Sequence, residues 1–197
     1  MRRHRPRAGR EQALTRVPAC RIVSDVTTPT GPAVRTLVLV RHAKASNDAP
    51  SDLERPLTQR GWSMSEELAD ELRLVIGGAD LLLVSPATRA QHTSRPLERR
   101  LLPQSTRTEE AIYRRGPTGI LSLVCELDDA VRTVVVVGHE PTMSILAHML
   151  HDTDDALASQ VSFGVPTATA LILQVPTSWA QLGPRGAHLS QVITAAR

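Results

Sequence analysis

The stretch Thr36-Leu37-Val38-Leu39-Val40-Arg41-His42-Ala43-Lys44 sets a short, uncharged run rich in Leu and Val directly against two cations and an imidazole. The run does not alternate polar with apolar, which is the pattern of a strand covered on both faces in a parallel sheet. Residues 79–84 and 133–137 repeat the pattern, and residues 168–175 read as a further strand. Each of the first three runs ends in polar residues. These are Arg41-His42-Ala43-Lys44, then Ser85-Pro86-Ala87-Thr88-Arg89, then Gly138-His139-Glu140-Pro141.

Helical patterns separate the runs. After Thr58, the residues Met64, Leu68, Leu72 and Val75 recur at spacings of four, four and three, with Glu66, Glu67, Asp70 and Glu71 between them. One stripe is therefore apolar and the other solvated, and Gly77-Gly78 closes the helix. Residues 87–102 also read as a helix, which Pro96 should kink or interrupt. Pro117 and Pro141 suit first helical positions, opening helices that turn Ile120, Leu121 and Val124, and Ile145, Leu146 and Met149, toward the core. Strands alternating with helices predict an α/β domain, a three-layer sandwich with a mostly parallel central sheet and helices on both faces.

The chain of 197 residues is 41% apolar and 22% charged, as an ordinary globular protein is, but only 2% aromatic, so its core must be built from Val, Leu, Ile and Ala. The net charge of +3 hides an asymmetry. Residues before Thr36 hold eight arginines against Glu11 and Asp25, a local charge of +6, which leaves −3 for the rest. Residues 1–34 are thus expected to be a basic extension without fixed structure, and residues 35–197 a single catalytic domain. Because the basicity sits in the extension, the folded domain is assigned no nucleic-acid partner. Cys20 and Cys125 support neither a disulfide framework nor a thiolate metal site, which fits a reducing, cytoplasmic setting. No apolar run approaches the roughly 18 residues of a membrane span, and no apolar segment follows the Arg-rich start, so neither an anchor nor a signal peptide is expected.

In an open α/β sheet, ligands bind beyond the carboxyl ends of the strands. Three strands here deliver two arginines and two histidines to that edge. Guanidinium forks of Arg41 and Arg89 suit phosphoryl oxygens, a neutral His42 imidazole can attack phosphorus in line, and His139 can add a donor. Such a set needs neither metal nor cofactor. His148 and His151, followed by Asp152, Asp154 and Asp155, are metal ligands on paper, but at a helix end they read as capping and loop residues.

These segments resemble the histidine phosphatase superfamily, whose fold is phosphoglycerate mutase-like. The resemblance runs over residues 36–173. It rests on Arg41-His42-Ala43, on Arg55-Pro56-Leu57-Thr58 through Gly61, on Ser85 to Thr93, and on Gly138-His139-Glu140-Pro141. The short chain and the Asp52-x-x-Arg55-Pro-Leu-Thr segment are most similar to the SixA-like phosphohistidine phosphatases. The resemblance implies that His42 takes up the phosphoryl group in a pocket formed by Arg41, Arg55, Arg89 and His139, with Ser85 also on the substrate side. The expected substrate is a phosphorylated protein bearing phosphohistidine, or a small phosphorylated metabolite. A phosphomonoesterase of the same superfamily, a mutase, and an inactive relative that only binds phosphorylated ligands are the other readings. The proton donor is open among Asp52, Asp48, Glu109 and Glu110, with Asp52 preferred. A neutral His42 nucleophile also predicts activity that falls on the acid side of neutrality.

Overall fold

A computed structural model describes Met1, residues 34–154 and residues 156–196. Residues 2–33, which make up the expected basic extension and include Cys20, lie outside the described residues, as does Asp155.

The opening run forms β1 (Arg35–Arg41), one residue longer at each end than the apolar pattern suggests. It pairs in parallel with β4 (Thr133–Gly138) and antiparallel with β5 (Thr169–Val175). β4 pairs in parallel with β2 (Leu81–Val84), which pairs in parallel with β3 (Ser105–Thr108), while β6 (His188–Thr194) closes the far edge antiparallel to β5. The order is β3-β2-β4-β1-β5-β6, so the sheet is mixed, with four neighbouring parallel strands.

Alternation along the strands explains why their runs are continuously apolar. Leu37, Leu39, Val134 and Val136 face one core, together with Ile112, Ile120, Met143 and Leu146. Val38, Val40, Val135 and Val137 face the other, with Met64, Leu68, Leu72 and Leu97. Helices α1 (Gln59–Ile76) and α2 (Thr88–Leu101) cover the second face. The first is covered by α3 (Glu110–Arg114), α4 (Gly116–Cys125), α5 (Thr142–Leu150) and α6 (Ala156–Ser162). Among the described residues, no helix is long and apolar enough to cross a membrane.

Several local expectations change. Helix α2 runs through Pro96 without interruption, because Pro96, Leu97 and Leu101 are all buried and tertiary packing outweighs the lost backbone bond. Val75 is 41% exposed, and the inner stripe of α1 continues from Leu72 to Ile76 instead. Ile145 is 49% exposed, and α5 instead buries Met143, Leu146, Ala147 and Leu150. Pro141 precedes the first residue of α5 and follows a cis peptide bond, whereas Pro117 does lie in the first turn of α4.

Candidate active site

β1 and β4 are neighbours, yet the helix after β1 packs on one face of the sheet and the helix after β4 on the other. Their carboxyl ends therefore open a crevice at a topological switch point. His42 follows β1 and His139 follows β4, and their ring centroids are 5.2 Å apart. Ser85 follows β2, and Arg89 sits in the first turn of α2, only 6% exposed.

The tautomer of His42 can be read from its partners. Nδ1 is 2.7 Å from the carbonyl oxygen of Ala43, which can only accept, so Nδ1 carries the proton. Nε2 then holds a lone pair, and Arg89 Nε donates to it at 3.2 Å. Burial drives the His42 pKa down to about 4; the Ala43 hydrogen bond opposes this, and the charges of Arg89, Arg41 and Arg55 reinforce it. The ring is thus neutral near neutrality.

His139 is held by Ser85. Ser85 Oγ accepts from the Ala87 amide at 3.3 Å and lies within hydrogen-bond distance of His139 Nε2, at 2.7 Å. His139 Nδ1 is buried without a hydrogen-bond partner among the described residues, as is Arg41 Nε. Buried polar atoms left unpaired are costly, and the Arg41 N–H, with His139 Nδ1 when it carries the proton, is what an anionic ligand would satisfy. Burial, then the charges of His42 and Arg89, lower the His139 pKa to about 3.

The arginines are held by groups from several elements. Arg41 Nη1 donates to the carbonyl oxygen of Val165, and Glu140 is the carboxylate that acts on its charge. Arg89 donates to the backbone oxygen of Asp52 at 2.6 Å and to Oδ2 at 3.0 Å. Arg55 bonds Asp52 Oδ1 at 3.1 Å, the Ser46 carbonyl at 2.8 Å and Asn47 at 2.5 Å. Thr93 ties the loop to α2, accepting from the Ala43 amide at 3.0 Å and donating to the Arg89 carbonyl at 2.7 Å.

Asp52, preferred from sequence as the proton donor, is a poor one here. Desolvation raises its pKa, but hydrogen bonds from Tyr113, Arg55 and Arg89 outweigh this and hold it at about 2. These donors favour its carboxylate form. Of the alternatives, Glu110 pairs with Arg114 at 2.8 Å, Asp48 is exposed, and Glu109 stands just before α3 without a side-chain bond to the helix. Tyr113 was not foreseen. Its hydroxyl donates to Asp52 Oδ2 at 2.9 Å, and its ring meets His139 edge-on at 5.5 Å. The only sequence signal for it is that it is the single tyrosine of an aromatic-poor chain.

The other histidine cluster lies elsewhere. His148 and His151 stack edge-on at 5.3 Å, but Asp152 faces His188 at 3.1 Å and Asp154 faces Arg185 at 3.8 Å. Among the described residues, no three His, Cys, Asp or Glu side chains converge as a metal site would require.

The model of the histidine phosphatase superfamily (branch 1) matches residues 37–112. The uncharacterized protein Rv1276c of Mycobacterium tuberculosis is 35% identical over 154 residues, covering 76% of this chain and 96% of its own length. Phosphohistidine phosphatase SixA of Escherichia coli is 32% identical over 111 residues, covering 55% of this chain and 69% of its own. A solved structure named as phosphohistidine phosphatase SixA from Nakamurella multipartitia superposes with a TM-score of 0.75 at 27% identity, covering 83% of this chain and 98% of that one. The matching family model, the similarity to the E. coli phosphatase over more than two thirds of its length and the shared fold agree: the chain belongs to the histidine phosphatase superfamily.

Proposed function

We propose that this protein hydrolyses phosphohistidine, passing the phosphoryl group through a covalent intermediate on His42. The observation that carries the reading is the His42 Nε2 lone pair, set by the Ala43 carbonyl and ringed by Arg89, the unpaired Nε of Arg41 and the unpaired Nδ1 of His139. In the first step Nε2 attacks phosphorus in line while Arg41, Arg55, Arg89 and His139 spread the charge of the equatorial oxygens. The bond from phosphorus to the substrate imidazole breaks and its electron pair stays on the leaving nitrogen. That imidazole departs neutral when its other nitrogen is protonated. Water then attacks the phosphohistidine, His42 regains its lone pair, and dihydrogen phosphate leaves and sheds a proton to solvent.

Transfer between two imidazoles needs no strong acid, whereas an alkoxide leaving group does. The ionised state of Asp52 therefore favours a phosphoramidate over an alcohol ester. We assign Asp52 and Tyr113 to positioning Arg89 and Arg55, and Ser85 to holding the ring of His139. The test is hydrolysis of a histidine-phosphorylated protein beside a panel of small phosphomonoesters, in chelator, with His42→Ala as control. Preference for phosphohistidine that vanishes in the variant is expected. Preference for a small ester would move the substrate while keeping the nucleophile, and turnover independent of His42 on both would remove the mechanism.

A further inference from the structure

A cleft of about 410 Å³ shares Arg41 with the phosphoryl site. Its volume is within the roughly 300–1,000 Å³ of sites that take small molecules or side chains of a larger ligand. Lys44 and Arg60 line it together with the apolar Met64, Pro166 and Ala195, and no carboxylate is among its lining residues.

The two cations are uncompensated. Arg55, Arg89, Arg99, Arg100 and Arg114 each reach a carboxylate, but the Lys44 ammonium and the Arg60 guanidinium have neither a hydrogen bond nor an ion pair among the described residues. Three of the four acidic residues of α1 make other contacts. Glu66 pairs with Arg99, Asp70 pairs with Arg100, and Glu67 accepts from the Ala196 amide at 3.0 Å. The two positions are also held firmly. The Lys44 carbonyl accepts from the Thr58 amide at 2.9 Å and from the Thr58 hydroxyl at 3.2 Å, and it packs against Gly61, next to Arg60 in the first turn of α1. Two unpaired cations beside apolar residues, in a cleft that shares Arg41 with the phosphoryl site, match a substrate that carries a second anion.

We infer that this cleft is a second anion subsite, taking a carboxylate or phosphate of the substrate other than the transferred phosphoryl group, with the apolar lining covering the carbon skeleton between the two charges. The inference rests on the phosphatase reading above and states what the substrate carries besides its phosphoryl group. Neither Lys44 nor Arg60 belongs to the proposed catalytic set, and both are exposed, so the Lys44→Gln/Arg60→Gln double variant of the full chain should fold normally.

The test measures kcat and KM for this variant on three kinds of substrate. One is p-nitrophenyl phosphate, which has no second anion. The second is a histidine-phosphorylated peptide with glutamates beside the phosphohistidine, against its glutamine counterpart. The third is fructose 1,6-bisphosphate against fructose 6-phosphate. The expected result is a KM rise of about tenfold, with kcat held, on the glutamate peptide or the bisphosphate, and less than about a twofold change on p-nitrophenyl phosphate. A response of the peptide assigns the anion to a protein substrate, and a response of the bisphosphate assigns it to a metabolite. Equal losses on every substrate, or no loss on either doubly charged one, would overturn the subsite while leaving His42-dependent turnover intact. Absence of any His42-dependent turnover would instead remove the phosphatase reading beneath it.

Discussion

His42 can attack phosphorus only while Nε2 keeps its lone pair, and the same contacts that fix its tautomer also set the pH at which the pair is lost. With its pKa near 4, the ring should not titrate across the range where an ordinary histidine does, around 6.5. The Cε1 proton of His42 should therefore hold a constant NMR shift from pH 8 to about 5.5; a midpoint near 6.5 would show that burial and the arginines do not act as described. The acid limit foreseen just below neutrality moves accordingly to about pH 4 in the free enzyme. Asp52 gives a second residue-scale prediction. If it positions Arg89 and Arg55, Asp52→Asn should lower kcat/KM by about tenfold, equally for p-nitrophenyl phosphate and for an alkyl phosphate, because both lose the same charge contacts. A loss concentrated on the alkyl phosphate, whose leaving group needs a proton, would restore Asp52 as the acid. Tyr113→Phe removes one of three hydrogen bonds to the same carboxylate and should cost only about threefold in kcat/KM.

The loop between β1 and α1 is the element that joins both candidate subsites, and Gly61 locks it. A Cβ at residue 61 would lie 2.1 Å from the Lys44 carbonyl oxygen, a backbone atom that cannot swing aside. Gly61→Ala should therefore destabilise the fold by about 2 kcal/mol in denaturant titration and lower affinity for substrate, since Lys44, Arg55 and Asp52 all hang on that loop. An unchanged midpoint with unchanged KM would mean that the loop adjusts freely. The same element shows what was legible beforehand. Arg41, His42, Arg89 and His139 follow strands covered on two faces, where burial leaves a continuous apolar signature in the sequence. β3 is exposed throughout and β6 lies at the other edge, so neither is forced to be apolar, and neither stands out in the sequence. Tyr113 follows β3 on a helix of five residues, too short to have a period. The ionised state of Asp52 depends on Tyr113 and Arg89, 61 and 37 residues away, as well as on the nearby Arg55, and no local pattern encodes the two distant pairings.

At the scale of the whole molecule, a site built from neutral buried histidines sets how stability depends on pH. His42 and His139 have folded pKa values of about 4 and about 3, against about 6.5 in an unfolded chain. Between these values the unfolded state binds protons that the folded state refuses, so unfolding takes up protons and stability falls as the pH drops. This contribution is fully present above about pH 6.5 and is lost progressively as the pH falls toward 4 and then 3. His92, lowered by burial and by Arg95, acts in the same direction. Asp52, held at about 2, loses its contribution only at still lower pH, so the interval from 6.5 to 4 belongs to the histidines. Each contributes at most about 1.4 kcal/mol per pH unit. Denaturant midpoints of the wild type should thus decline from pH 6.5 to 4, and the His42→Gln/His139→Gln variant should decline with a clearly shallower slope, whatever its stability at pH 7. Parallel slopes for the two proteins would place the acid sensitivity in the carboxylates of the surface and show that the histidines of the site are not held neutral by the fold.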